Sequence, residues 1–472
     1  MRIRMQWAAA IIAAFAFGAN AQTAVTGKDV TATGWFNGVA TSKTGTFHAG
    51  GVAACDGCHV MHNASNGVAR STKVNPWNDA VPAFLLQGAD QSSTCLICHG
   101  DTTAGGSTRP YVIVNTGPAT DFANMNYSPG GDFGWLLRGG NASDVQNRHG
   151  HNIVAADFVI PADTLLTAPG GTLSFDATGQ KVFSCSSCHD PHGRTRMQTD
   201  ATGTTWNWAG PTAPGSDNTA ITAPIYSSGS YGNLPAAGQA IGAYRLLGGK
   251  GYAPASNPAS PFTYNPPVAV APTDYNKAET GAGLDRSKEV RVAYGNGMAE
   301  WCRNCHTNIH MDNYLSGALG GTGLKHPAGN NASLKPGQFN VYNTYVSSGV
   351  FTGTGDQYTS LVPFESAKII SVTGNSGAVS DLGKLANPAA NNIFTATDKS
   401  NVTCLSCHRA HASGFSSMVR WNNDDTFITN ANALVDTQAR GATALQAAYY
   451  GRTATDFGAF QRSLCNKCHG KD

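Results

Sequence analysis

Charge is scarce in this chain. Only 13% of its 472 residues are Asp, Glu, Lys or Arg, about half the usual share of roughly 25%, and the 31 basic residues almost balance the 29 acidic ones. That inventory cannot build the basic surface that nucleic acids demand. Long apolar runs are missing too. The one near the N-terminus, from Trp7 to Phe17, is shorter than the ~17 to 25 residues that span a bilayer. Sustained apolar spacing of 3.6 or 2 residues is rare, and Gly, Ser, Thr, Asn and Pro cluster in turn-forming groups. The side chains alone therefore offer little core to offset the entropy of ordering.

Arg2 and Arg4 precede the apolar run, and Ala19-Asn20-Ala21 follows it. This is the pattern of a secretory signal with a small-x-small cleavage site. Residues 1–21 are expected to be removed, leaving 22–472 as a single exported domain. No cysteine lies in 1–21 to carry a lipid.

No cysteine is spare for a disulfide either. All 12 fall into six Cys-x-x-Cys-His motifs: Cys55, Cys58, His59; Cys95, Cys98, His99; Cys185, Cys188, His189; Cys302, Cys305, His306; Cys404, Cys407, His408; and Cys465, Cys468, His469. This is the signature of covalent haem attachment, in which two thiols add to the porphyrin vinyl groups and the adjoining histidine binds the iron. Zinc is the competing reading of paired cysteines. Histidine makes up 14 of 472 residues, so its presence after all six pairs by chance has odds on the order of 10⁻⁹. Export to an oxidising compartment also weighs against zinc.

Six haems would supply the missing core as rigid apolar plates tied to the backbone. The expected fold is a multihaem c-type cytochrome, mostly irregular coil with short helices and few strands, wrapped around a row of six haems. The motifs are unevenly spaced, which disfavours a repeat array. Short helices are expected at the motifs, where Cys at i and i+3 share a face, and over Asp285–Val292, Leu445–Tyr450 and Ala459–Lys467. Trp135, Tyr244, Tyr294, Trp301 and Tyr450 are expected to pack on porphyrin faces.

Eight histidines remain once the proximal ligands are assigned, enough to make every iron bis-histidine. That state leaves no vacant position and suits electron transfer rather than catalysis. His62, His192 and His411 each follow a proximal histidine by three residues. None of them can reach the far side of its own iron, so each is expected to bind a neighbouring haem. His151 and His326, on loops far from any motif, are further distal candidates. His310 fits either a ligand or a residue behind one, and His149 is expected in solvent or against a propionate. Met61 is the one methionine placed to compete as a ligand.

The order of blocks along the chain carries a resemblance. The run 47–63, FHAGGVAACDGCHVMHN, is followed by GGDFGW (130–135), GHNIV (150–154), CSSCHDPHG (185–193), AYR (243–245), EWCRNCH (300–306), HPAGN (326–330), CLSCHRAHASGF (404–415), YYGR (449–452) and CNKCH (465–469). Together they resemble the OmcS-type outer-surface hexahaem c-type cytochromes across essentially all of 22–472. The chain departs from them in the loops 197–241 and 370–399, and in the segment after His99, where the family has further histidines. If one of those is a ligand there, His310 or His149 takes its place here.

The resemblance implies a head-to-tail homopolymer: an extracellular filament of stacked bis-His haems at the outer surface. It would receive electrons from periplasmic or outer-membrane cytochromes and pass them to metal oxides or partner cells. It further implies that His48 binds the fifth haem, on His408, of the next subunit. The competing expectation is a monomeric periplasmic shuttle. A reductase, which needs an iron with an open position, is disfavoured because all six motifs end in histidine.

Overall fold

The computed structural model describes residues 58–59, 64–65, 68–69, 85–100, 112–113, 121–122, 125, 127–138, 149–161, 183–199, 206–209, 240–256, 259–270, 293–306, 328–330, 332–338, 340–341, 362–366, 400–457 and 459–469. Most of the described chain is coil, as expected. The strands are two to four residues long: β1 (Ala64–Ser65), β2 (Val68–Ala69), β3 (Arg196–Thr199), β4 (Trp206–Ala209), β5 (Ala240–Gly242), β6 (Ala269–Val270), β7 (Ala293–Tyr294), β8 (Phe364–Ser366) and β9 (Ser400–Val402). The α-helices are α1 (Gln91–His99), α2 (Met298–Cys302), α3 (Cys404–Cys407), α4 (Ala442–Ala448) and α5 (Ala454–Phe457). Among the described residues, no helix is long and apolar enough to cross a membrane.

The helices sit where the motifs place them. The second, fourth and fifth motifs lie on or at the ends of α1, α2 and α3, and the third and sixth take 3-10 turns, Cys185–Ser187 and Leu464–Lys467. The other sequence-based helices need correction. The expected Leu445–Tyr450 helix begins earlier and ends earlier, as α4, because Tyr450 is left-handed (φ 58°) and closes it. The expected Ala459–Lys467 helix is interrupted, since Gln461 and Arg462 instead pair with the 427–429 segment. Asp285–Val292 lies outside the described residues.

Two small devices bring the motifs side by side. In the first, Asp90 caps α1, accepting from Ser93 N–H at 2.7 Å and Ser93 Oγ at 2.8 Å. The same carboxylate accepts from Ala156 N–H at 2.7 Å, so the cap also anchors the 155–160 turn. Ser92 Oγ accepts the Cys185 N–H at 3.2 Å, which fixes the third motif against the start of α1. The second device is the sheet β6-β7-β8-β9, in which only the β7–β8 pair is parallel. β7 leads into α2 and β9 into α3, so the sheet sets the fourth and fifth motifs next to each other.

An aromatic cluster closes the C-terminal part. Phe415, Trp421, Tyr449 and Phe457 meet with ring centroids between 4.8 and 6.4 Å. Arg409 lies over the Tyr450 ring at 3.7 Å, while the Tyr450 hydroxyl donates to Ser128 O at 2.7 Å. Tyr450 thus has a guanidinium over its ring and a hydrogen bond at its hydroxyl. Trp135, Tyr244, Tyr294 and Trp301 have aromatic neighbours at 5.5 to 6.0 Å.

Candidate functional site

The thiols run in chain order. Cys95 donates to Cys185, and Cys302 donates to Cys404; each bond holds the donor's pKa well above its ordinary value. Weaker electrostatic contacts fill the remaining steps: Cys58 with Cys95, Cys188 with Cys305 and Cys302, and Cys407 with Cys465. The attachment points of motifs one to six thus form a continuous spatial series. The sequence alone did not specify that order, because each link depends on the α1 cap, the small sheet or the C-terminal loop.

Two motif histidines, His189 and His306, each meet a histidine from a remote segment, edge-on or tilted. The His189 and His411 rings have centroids 6.4 Å apart, and those of His306 and His151 are 6.0 Å apart. Two imidazoles bound to one metal at about 2 Å each through a ring nitrogen have centroids about 6 Å apart. Burial pushes the His411 pKa down to about 3, and the His189 charge adds to the effect. His189 and His306 fall to about 4, also mainly through burial. All three are therefore neutral near pH 7, the protonation state in which imidazole binds a metal. Paired neutral imidazoles beside adjoining thiols fit a covalently attached haem.

Backbone pairing explains how these rings meet. His151 N–H donates to His411 O at 2.9 Å, and Gly150 pairs with Ala412. His411 also stacks on Phe133 with centroids 4.7 Å apart. On the outer ring nitrogens, His151 Nδ1 contacts Ala410 O at 2.7 Å, His189 Nδ1 contacts Arg245 O at 2.8 Å and His408 Nδ1 contacts Ser417 O at 2.8 Å. Such contacts choose the tautomer that leaves Nε2 for the metal.

The other expected ligands divide into three groups. His59, His99 and His469 lie within the described residues, with His469 exposed. His192 is exposed, its backbone N–H bound to Asp190, and it meets no other described histidine ring. His48, His62, His310 and His326, together with Cys55 and Met61, lie outside the described residues. His149 requires a correction: it is fully buried, not solvated, and its Nδ1 contacts Ser413 O at 2.8 Å. It ties the two strands that carry His151 and His411.

Sequence reasoning missed Glu365. This carboxylate on β8 is 1% exposed and accepts from Met298 N–H at 3.1 Å, capping the helix of the fourth motif. Burial, reinforced by the charge of Glu300, raises its pKa to about 7. Nothing in its local sequence distinguishes it from a surface glutamate on a short strand.

Thiol pairs set beside adjacent imidazoles define a c-type cytochrome, an electron carrier with covalently bound haem. Over 452 residues the chain is 42% identical to the C-type cytochrome OmcS of Geobacter sulfurreducens, covering 90% of this chain and 94% of that protein. It belongs to the OmcS family of c-type cytochromes. Two solved structures are similar to it at a TM-score of 0.70: the cryo-EM structure of the OmcS nanowires from Geobacter sulfurreducens, at 39% identity, and the outer membrane cytochrome S filament from Geobacter sulfurreducens, at 40%. Each match covers 90% of this chain and all of the other. No protein-family profile matches the chain.

Proposed function

We propose that the chain is an exported hexahaem cytochrome that polymerises head to tail and carries electrons along a filament to external acceptors. Each haem supplies an iron that alternates between ferric and ferrous states, so a close row of haems conducts. The polypeptide would fix the spacing of that row, exclude water from it and hold each iron between two histidines.

The proximal ligands are His59, His99, His189, His306, His408 and His469. His411 closes the iron of His189, and His151 closes that of His306. The observation that carries this reading is the pair of ring-centroid distances, 6.4 and 6.0 Å, by which His411 and His151 meet the motif histidines His189 and His306. His62, His192 and His326 serve among the remaining irons, with His310 in reserve. His48 of the neighbouring subunit closes the iron of His408, whose side chain is exposed. Saturated irons leave no position for a substrate, so the protein is a conduit and not a reductase.

The relatives whose structures are solved are a nanowire and a filament, which favours the polymer over a monomeric periplasmic shuttle. That the second is an outer membrane cytochrome also supports an outer-surface location. Donors would be cytochromes of the periplasm or outer membrane; acceptors would be metal oxides or partner cells. Replacing His48 with Ala tests the joint. Filaments should disappear from micrographs and one high-spin haem per chain should appear in absorption spectra; persistent filaments with no high-spin signal would refute it.

A further inference from the structure

One backbone device recurs at three motifs. At the third, Arg245 (φ 48°) and Leu246 (φ 55°) are consecutive left-handed residues. The Arg245 carbonyl meets His189 Nδ1 at 2.8 Å, and the Leu246 carbonyl accepts Asp190 N–H at 2.7 Å. Gly248 N–H then donates to Cys188 O at 2.8 Å, and Leu247 pairs with His189.

At the fifth motif the arrangement is the same. Ser417 (φ 58°) and Met418 (φ 60°) are left-handed. Ser417 O meets His408 Nδ1 at 2.8 Å, Met418 O accepts Arg409 N–H at 2.8 Å, Arg420 N–H donates to Cys407 O at 2.8 Å, and Val419 pairs with His408. The described part of the first motif repeats it: Leu85 has φ 56°, Leu86 pairs with His59, and Gln87 N–H donates to Cys58 O at 2.9 Å.

The chain reaches this arrangement by different routes. Carbonyl and histidine are 56 residues apart at the third motif and 9 at the fifth, so local connectivity does not produce it. Left-handed backbone is unfavourable for side chains with a Cβ and persists where the surroundings enforce it. Among the described residues the fourth motif shows no such device, and His306 Nδ1 is buried with no hydrogen-bond acceptor. The first, third and fifth motifs are also the three in which a second histidine follows the motif histidine by three residues: His62, His192 and His411.

We propose that these left-handed pairs are positioning residues whose carbonyls hold the proximal imidazole Nδ1–H, turning Nε2 to the iron and lowering the potential of the haem bound there. A hydrogen-bonded imidazole is a stronger donor and favours the ferric state. The inference rests on the assignment of His189 and His408 as iron ligands.

The test compares Arg245→Pro and Ser417→Pro, which cannot adopt positive φ, with Arg245→Gly and Ser417→Gly, which keep the carbonyl in place. Haem-loaded protein is titrated by spectroelectrochemistry. In each proline variant about one sixth of the absorbance change should lie at a more positive potential than in the matching glycine variant, which has lost the same side chain, with the haems still low-spin. A proline variant with the same curve as its glycine counterpart overturns the proposal. Carbon monoxide binding by the unsubstituted protein would instead overturn the ligand assignment beneath it.

Should the proline variants fail to assemble, solid-state NMR of the reduced, unsubstituted protein with ¹⁵N-histidine decides. The Nδ1–H of His189 and His408 should exchange more slowly than that of His306; equal exchange overturns the proposal.

Discussion

His151 and His411 come from segments remote in sequence, yet the His151 N–H donates to the His411 carbonyl at 2.9 Å. That one bond sets side by side two imidazoles that meet different proximal histidines, His306 and His189. Under the proposed ligand assignment this backbone contact would set the spacing of two neighbouring irons and link ligation at one site to the other.

Replacing His411 with Ala should open the iron of His189 without detaching its haem, because the thioether links at Cys185 and Cys188 remain. About one haem in six should turn high-spin and bind carbon monoxide. Absorption difference spectra with and without carbon monoxide would measure it.

A glycine behind that ligand predicts the same signature without touching a histidine. Gly131 has φ +95°, and a Cβ there would lie 1.8 Å from Ala412 O, beside His411. Gly131→Ala must push the 411–412 segment away. The same carbon monoxide assay should therefore report one opened site, whereas Gly337→Ala, where an added Cβ meets nothing within 4 Å, should leave the spectra unchanged.

Asp90 joins the α1 cap to the 156 turn, so its loss removes acceptors from Ser93 and Ala156 together. Asp90→Ala should destabilise the protein by about 2 to 4 kcal/mol. Asp90→Asn, which keeps one acceptor oxygen, should cost less. Denaturant titration of the Soret band would give both values.

Glu365 makes stability depend on pH in a fixed direction. Its folded-state pKa of about 7 lies above the ordinary 4.5, so the folded chain binds its proton more tightly than the unfolded chain. The stability gained from that proton is complete below 4.5 and disappears as pH rises through 7. Glu365→Gln should therefore change little at pH 4 and stabilise the protein by roughly 3 kcal/mol at pH 8. Thermal unfolding at the two pH values reads the difference.

The chemistry of this chain was written in its sequence far more plainly than its architecture. Cys-x-x-Cys-His is a local pattern, and the short helices follow from it because the two thiols must share a face. His151 was recognisable as a ligand candidate only by elimination. What sets it beside His411 is pairing between Gly150 and Ala412, a contact with no local signal. The same holds for the left-handed residues Arg245 and Ser417, since neither is a glycine or asparagine that would have advertised positive φ. His149 was expected in solvent or against a propionate for want of a motif; solvent is ruled out, because it is buried and in contact with Ser413. Strands of two to four residues are likewise too short to leave a periodic trace.

The account stands on haem as both the core and the conductor of this molecule. Intact-mass spectrometry of the purified, denatured polypeptide tests that most directly. The mass in excess of the bare chain should equal six haems, one for each motif. A chain that folds and conducts while carrying fewer than six covalent haems would contradict it.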